Sequence, residues 1–342
     1  MNEHILIIGG GSIGERHLIN FLRHDGVRCS VADPDAARLE LLQREHPLQA
    51  AHADWETVDL GDIDGVVICT PTNMHVPMLL QLAGTDVGIL CEKPLAMSLE
   101  GLDELAAKLA QHNTQVGVAF CFRHDPLMEE LRQRIQERAF GHISHVIAMA
   151  THYWPDMRSP WPPLYAMRRE TGGGVIQDHA VHFINLLEWF FGPTDSVSAL
   201  QRHVQLADVP TEDFGTVTLR FGGGQIGVLT VCVGQRNPQG SMEVAGSDAT
   251  ARYDQTETQL QIYRGDTRQW ETGTATRAAD RNEKYHRQAG HFLACLRGES
   301  EPRCTFAEAA QTLNTVLAAT ASSDTTGGFI DVEVDDCIRT RG

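Results

Sequence analysis

The first third of the chain alternates short, almost continuously apolar runs with amphipathic stretches. Apolar runs of this kind are typical of strands buried on both faces of a parallel sheet. They occupy residues 4–9, 27–33, 65–70, 87–92 and 114–120. Helical patterns such as SIGERHLINFLRHD and SLEGLDELAAKLAQH lie between them. The regular alternation predicts a doubly wound α/β domain over residues 1–123.

From residue 124 onward the pattern changes to alternating strands followed by helices. Residues 215–234, GTVTLRFGGGQIGVLTVCVG, are typical of a hairpin turning over three glycines. Further strands are expected within 144–154, 241–254, 258–265 and 329–334, and helices over 129–143, 283–298 and 306–323. We therefore predict a second domain, 124–342, of α+β type with a mainly antiparallel sheet whose face could carry a contact between copies.

A glycine-rich turn follows the first predicted strand. Gly9, Gly11 and Gly14 match G-x-G-x-x-G, whose glycines permit a tight turn, an approaching pyrophosphate and close helix packing. Ser12 and Ile13 begin the following helix, where free N–H groups attract phosphate. Glycine turns also occur as plain structure and in some methyltransferases. The position between strand and helix is what favours a dinucleotide.

Asp33 ends the second predicted strand about 20 residues later, where a ribose-binding acid is expected. Its carboxylate could bind the adenosine ribose hydroxyls and would repel a 2′-phosphate, which favours NAD over NADP. Arg38, one turn into the next helix, could still accept a phosphate. The alternative interpretation of ADPDAAR is a turn with a helix N-cap, and both can hold.

Polar residues follow the next two predicted strands. In open α/β sheets, ligands bind beyond the carboxyl ends of the strands. We therefore expect cofactor contacts from Thr70, Pro71, Thr72, Asn73, His75, Glu92 and Lys93. Each residue alone could be an ordinary loop residue, but their occurrence at successive strand ends favours function.

Residues 172–182, GGGVIQDHAVH, lead into a predicted helix, 178–191, that Gly192 ends. Asp178 and His182 are four apart, so they are neighbours on a helix, and Asp178 could set the tautomer or basicity of His182. The plainer alternative is an N-cap aspartate and a half-buried histidine. The preceding dinucleotide domain favours catalysis.

The loop over 152–174 combines aromatic and basic residues. Tyr153, Trp154 and Trp161 suit stacking on a sugar ring, and arginine forks match carboxylates and phosphates. Arg158, Arg168 and Arg169 therefore indicate an anionic polyol. They could instead pair with Asp156 or Glu170, or lie on the surface.

Composition narrows the possible partners. The net charge of −17 disfavours nucleic acid and anionic membranes, which require basic patches, and no apolar run is long enough to cross a bilayer. The N-terminus lacks the features of a signal peptide. The eight cysteines form no C-x-x-C pair, and the histidines lack ligand spacing. We expect a cytoplasmic protein with reduced thiols and no metal.

Four motifs in order, GGGSIGERH, CTPTNMHVPM, CEKPL and GGGVIQDHAVHFINLLEWFFG, resemble the glucose–fructose oxidoreductase, inositol dehydrogenase and rhizopine catabolism family, Gfo/Idh/MocA. The resemblance implies an N-terminal Rossmann domain and a C-terminal domain with an open, largely antiparallel sheet. It implies NAD(P)-linked oxidation or reduction of a sugar, sugar acid, cyclitol or related polyol. It also implies a homodimer or homotetramer.

The resemblance further implies a catalytic set, Lys93, Asp178 and His182. In this hypothesis His182 is the general base, Lys93 stabilises the developing alkoxide, and Asp178 orients His182. Arg123 is carried over as a cofactor- or substrate-side residue, although His124 departs from the family's usual second arginine. The residues expected at the substrate are Lys93, Tyr153, Arg158, Trp161, Arg168, Asp178 and His182.

Two other interpretations stay open. A non-catalytic relative could use the same fold to sense a dinucleotide or sugar, but it would not need Lys93, Asp178 and His182 together. A methyltransferase would explain the glycine turn alone.

Overall fold

The structure is a computed structural model that describes residues 2–112, 114–157, 168–278, 280 and 282–333. It divides into two compact units. The first comprises residues 1–124 and 280–309, and the second comprises 125–279 and 310–342.

The first unit contains a six-stranded parallel sheet in the order β3-β2-β1-β4-β5-β6. Its strands are β1 His4–Ile8, β2 Arg28–Ala32, β3 Ala50–His52, β4 Gly65–Ile68, β5 Gly88–Cys91 and β6 Val116–Val118. This order is that of a Rossmann fold, and it places the reversal of strand order between β1 and β4. The five strands expected from apolar runs are confirmed. The short edge strand β3 carries no comparable apolar run.

Four helices connect these strands, α1 Ser12–Phe21, α2 Ala36–Glu45, α3 His75–Leu82 and α4 Leu102–His112. Apolar side chains of α1 and α2, such as Leu18, Phe21 and Leu42, pack with β1 and β2 in one buried cluster. The Asp35 side chain caps α2 by accepting from the N–H groups of Ala37 and Arg38.

Helix α7, Glu283–Leu296, belongs to the first unit. Its Ala289, Phe292 and Leu293 lie in the same buried cluster as β1, β2 and α1. The sequence placed this helix in a second domain beginning at residue 124. The apolar pattern of a helix does not show which core the helix joins. A helix near the C-terminus can therefore pack in the N-terminal core, and a single boundary in the sequence could not describe the two units.

The second unit contains a nine-stranded sheet in the order β14-β13-β12-β11-β7-β10-β9-β8-β15. All neighbours are antiparallel except β7 and β10. The strands are β7 Ile143–Tyr153, β8 Thr194–Arg202, β9 Phe214–Phe221, β10 Ile226–Cys232, β11 Gly234–Gly246, β12 Ala249–Asp254, β13 Gln261–Arg264, β14 Gln269–Thr272 and β15 Ile330–Asp331. The mainly antiparallel sheet and its β9–β10 hairpin confirm the prediction.

One face of this sheet exposes apolar side chains. Ile147 and Val228 are register neighbours on β7 and β10, and both are exposed, as is Ile226. A contact between copies through this face stays a prediction. Within the described ranges, no helix is both long and apolar enough to span a membrane.

The helices of the second unit are α5 Pro126–Gln136, α6 Val181–Phe191 and α8 Phe306–Asp324, whose first residues belong to the first unit. A buried carboxylate joins α6 to α8. Glu188 accepts hydrogen bonds from the hydroxyls of Thr194, Thr312 and Thr315 at 3.0, 2.6 and 2.6 Å. The Thr312 hydroxyl also accepts from Asn185 Nδ2 at 3.0 Å. Asn185 of α6 therefore belongs to the same buried network as Glu188.

Thr312→Val removes two of these hydrogen bonds with little change of shape. We expect it to destabilise the protein by about 1–3 kcal/mol, because buried polar groups lose their partners. Thr320→Val is the matched control, because among the described residues the Thr320 hydroxyl bonds only the backbone oxygen of Val316 on the same helix. Thermal unfolding of both variants checks this. Equal melting temperatures for the two would contradict it.

Candidate active site

In the glycine turn after β1, Gly9 and Gly14 pack closely against backbone, whereas Gly11 faces open space. Gly9 has a positive φ of 99°, and a Cβ there would lie 2.7 Å from the carbonyl oxygen of Cys69. A Cβ on Gly14 would overlap the carbonyl oxygen of Gly9. At Gly11, the N-cap of α1, no atom of the described chain lies within 4 Å of the Cβ position. The start of α1 is therefore open where phosphate oxygens approach a helix N-terminus.

Asp33 lies directly against this turn. Its Oδ2 accepts from the Gly10 N–H at 2.6 Å, and its Oδ1 accepts from the Asp35 N–H at 2.9 Å. The N-cap of α2 is therefore Asp35, and Asp33 holds the turn by its hydrogen bonds. The two interpretations of ADPDAAR, a capped turn and a ribose-binding acid, are compatible because different aspartates serve them.

Arg38 is committed to an ion pair. Its guanidinium donates to the Gly10 carbonyl and to Glu15 Oε2, the latter at 2.7 Å. His46 Nε2 lies 3.0 Å from the other Glu15 oxygen. Burial raises the pKa of Glu15, but the hydrogen bonds from His46 and Arg38 outweigh it and lower the pKa. Glu15 therefore neutralises the positive charge of Arg38, which a 2′-phosphate would need as its partner.

The loop after β5 carries Lys93 and is anchored by a buried pair. His17 of α1 donates from Nε2 to Glu92 Oε1 at 2.7 Å, and both side chains are buried. The other Glu92 oxygen accepts from the Lys93 N–H at 3.0 Å. Glu92, expected at the cofactor, therefore fixes the backbone of Lys93 to the phosphate-facing helix. His17, which stands in GGGSIGERH, was not among the residues predicted for the site.

His75, which the sequence predicted at the cofactor, is a buried side chain that bonds backbone groups. It is only 1% exposed, and its ring nitrogens lie 3.0 Å from the carbonyl oxygens of Thr70 and Pro94. Burial lowers the pKa of His75, and this effect outweighs the hydrogen bonds to the two carbonyl groups, which raise it. The ring links the loops after β4 and β5. Of the other residues in the β4 loop, Thr72 is buried, Thr70 is half-buried, and Pro71 and Asn73 are exposed.

Arg123, which the resemblance placed on the cofactor or substrate side, is also buried within the first unit. Its side chain is 1% exposed, and Nη1 donates to Glu308 Oε1 and to the Arg303 carbonyl, both at 2.6 Å. The neighbouring segment 303–308 supplies partners that lie far away in sequence, so no local motif could reveal them.

Asp178 lies in a π-helical turn, Ile176–Ala180, that precedes α6. The sequence predicted a regular helix over 178–191, and the α-helical part begins at Val181. Single π turns occur frequently at functional sites. Asp178 is buried and His182 is half-buried. Gly192, with φ of 86°, ends α6 as expected.

The π turn assembles a group that the sequence analysis did not identify. Asp178 Oδ2 lies 3.4 Å from His179 Nδ1, and His179 Nε2 lies 3.1 Å from His152 Nε2 on β7. Trp154, expected to stack on a sugar, is buried with its ring edge-on to His179. His179 could have been predicted from its position next to Asp178. The prediction instead paired Asp178 with His182, four residues away on the helix.

The other expected substrate residues have mixed surroundings. Arg236 covers the Tyr153 ring at 3.7 Å. Arg168 is exposed. Arg169 pairs with Glu212 and Asp324, acids other than those considered from the sequence, and the Glu212 contact is foremost in raising its pKa. Arg158 and Trp161 lie outside the described residues.

Comparisons with known proteins agree with this architecture. A profile for an oxidoreductase family with an NAD-binding Rossmann fold matches residues 4–120, and a GFO/IDH/MocA C-terminal domain profile matches 128–252. Together they cover well over half of the chain.

Curated relatives are distant. An uncharacterized oxidoreductase, YrbE, of Bacillus subtilis is 26% identical over 65% of this chain and 65% of its own length. Myo-inositol 2-dehydrogenase of Thermotoga maritima is 25% identical over 65% and 66%. Levoglucosan dehydrogenase of Pseudarthrobacter phenanthrenivorans is 26% identical over 58% and 54%. The matched segments span less than two thirds of each of these relatives.

Solved structures share the fold over nearly the whole chain. A levoglucosan dehydrogenase in complex with NADH has a TM-score of 0.87 at 20% identity, covering 98% of this chain and 100% of that one. An oxidoreductase from Agrobacterium radiobacter in complex with NAD⁺, L-tartaric acid and magnesium has a TM-score of 0.86 at 18% identity, covering 97% and 99%. The glycine turn, the two sheets and the matched profiles together show that this chain belongs to the Gfo/Idh/MocA family of NAD-binding oxidoreductases.

Proposed function

We propose that this protein is an NAD-dependent dehydrogenase that interconverts a CH–OH group and a carbonyl on a sugar, sugar acid or cyclitol. The observation that carries the proposal is the buried His17–Glu92 hydrogen bond. It joins the helix whose start is open to phosphate to the loop that carries Lys93. A dinucleotide fold alone would not require a lysine held in this way.

The residues of the first unit fit the cofactor. Gly9 and Gly14 shape the turn, and the open space at Gly11 admits the pyrophosphate. Asp33 would bind the adenosine ribose hydroxyls, and the Arg38–Glu15 pair disfavours a 2′-phosphate. These features support NAD over NADP. Bound NAD⁺ supplies the hydride acceptor.

The chain's own side chains handle the proton and the oxygen charge. His182 takes the proton that the substrate hydroxyl loses, because an imidazole titrates near neutral pH. The Lys93 ammonium donates a hydrogen bond to the oxygen as negative charge develops on it. Asp178, whose carboxylate also contacts His179, orients His182. In the reducing direction His182 returns the proton.

The substrate class rests on relatives and on composition of the loop. The relatives include inositol and levoglucosan dehydrogenases by name. Tyr153 and Arg168 are the described loop residues proposed to contact substrate. Arg168 would favour a sugar acid, because arginine matches carboxylates.

The direct test is reduction of NAD⁺ and NADP⁺ against a panel of sugars, sugar acids and cyclitols, followed by absorbance of the reduced nicotinamide. We expect absorbance to grow with at least one polyol and faster with NAD⁺. No reduction across the panel, in protein that binds NADH, would favour a sensing role instead.

Lys93→Met should lower kcat by about 10²–10³-fold, because it removes one donor to the developing charge. NADH affinity, measured by fluorescence titration, should change only a few-fold. Lys108→Met is the matched control, since Lys108 Nζ bonds the Leu80 carbonyl on the surface of α3 and α4. Near-normal turnover in Lys93→Met would remove Lys93 from the catalytic set.

Gly11→Ala should weaken NADH binding at least tenfold while leaving the melting temperature nearly unchanged, because its Cβ would enter open space, which we propose for the pyrophosphate. Gly14→Ala should instead destabilise the fold, since its Cβ overlaps the Gly9 carbonyl. Fluorescence titration and thermal unfolding of both variants separate these effects. Normal NADH affinity in Gly11→Ala would contradict the assignment of the turn.

A further inference from the structure

The first unit contains a cavity of about 350 Å³. It runs along β5 and β6 from their amino ends and is covered by α7 and by residues 302–304. Its lining includes none of the residues at the glycine turn or in the loops after β4 and β5 that carry Thr70–His75, Glu92 and Lys93. The volume is near the lower end of those of small-molecule sites. The cavity is therefore separate from the candidate cofactor site.

Two buried polar side chains line this cavity, and neither side chain forms a hydrogen bond within the part of the chain that the structure describes. Gln288 of α7 is 2% exposed, and neither its Oε1 nor its Nε2 has a hydrogen-bond partner in the described ranges. His124 is 5% exposed. Its ring lies tilted beside the His291 ring, with 5.2 Å between the centroids, and its ring nitrogens make no hydrogen bond to any described residue. Buried polar groups are normally hydrogen-bonded, and leaving them unpaired destabilises a fold. Their persistence in one cavity indicates a ligand.

The charge around His124 indicates the sign of that ligand. After burial, the groups that lower its pKa are all basic: Arg303, His291, Arg287 and Arg123. Asp64 and Asp86 also line the cavity but are exposed, and water screens exposed charges. Of these groups, Arg303 and His291 line the cavity with His124, whereas Arg123 is paired with Glu308. Basic side chains therefore face the cavity at His124 in a chain whose net charge is −17.

We propose that this cavity binds a compact oxyanion, a small carboxylate or phosphate metabolite. Its charged group faces His124 and Arg303, and a second polar group bonds the Gln288 amide. His124, which stands where the family usually has a second arginine, would thus bind the anion. The proposal is independent of the dehydrogenase activity.

The experiment is isothermal titration of the full chain with sodium malonate and, separately, with inorganic phosphate, using sodium chloride at matched ionic strength as the blank. We expect saturable binding of at least one anion. Tighter malonate binding identifies a carboxylate ligand, and tighter phosphate binding identifies a phosphate ester. Lys93→Met should bind the anion as the wild type does, which excludes Lys93 as the partner of the anion; the glycine turn is excluded by the loss of binding expected below for a variant of the cavity.

Gln288→Met and His124→Phe should each weaken this binding at least tenfold. Gln311→Met is the matched control: Gln311 is also buried with an unpartnered amide, but it lies in the second unit and does not line the cavity. Both methionine variants should melt about 2–4 °C higher, because each removes an unpaired buried amide, and only Gln288→Met should lose the anion. Absence of saturable binding, or equal binding in Gln288→Met and Gln311→Met, would overturn the proposal.

Discussion

The close packing of Gly14 on the Gly9 carbonyl is the constraint on which the first unit depends. No side chain fits at this contact, so α1 can begin directly beside the end of β1 only with glycine at both positions. That approach leaves the helix N-terminus pointing at the carboxyl edge of the sheet, where its N–H groups attract phosphate. Five residues into the same helix, His17 reaches Glu92. One backbone contact thus sets both the phosphate-facing turn and the anchor of Lys93.

Buried polar pairs perform the same kind of positioning throughout the chain. His75 joins the loops after β4 and β5 through their carbonyl groups, and Glu188 joins α6 to α8 through threonine hydroxyls. A buried polar group is costly unless it is paired, so each pair admits few alternative arrangements. These pairs keep the reactive side chains on rigid elements. They explain why several polar residues that looked like ligand contacts in the sequence are structural.

The sequence predicted those parts of the fold that rest on local patterns. The five apolar runs became strands because burial on both faces requires continuous apolar residues, and the G-x-G-x-x-G turn was identified by its neighbours. What was missed depends on distant segments. The return of α7 to the first core and the Arg123–Glu308 pair arise from packing partners far away in sequence. The π turn at Asp178 arises from one extra residue in a helical turn. Asp178 and His182 could be selected by spacing, but the His179–His152 contact could not.

The measurement that tests the account most directly is a crystal structure of the protein with NADH. We expect the pyrophosphate on the N–H groups at the start of α1, the adenosine ribose on Asp33, and the nicotinamide within reach of Lys93. A nicotinamide far from Lys93, or a cofactor bound away from the Gly9–Gly14 turn, would contradict it.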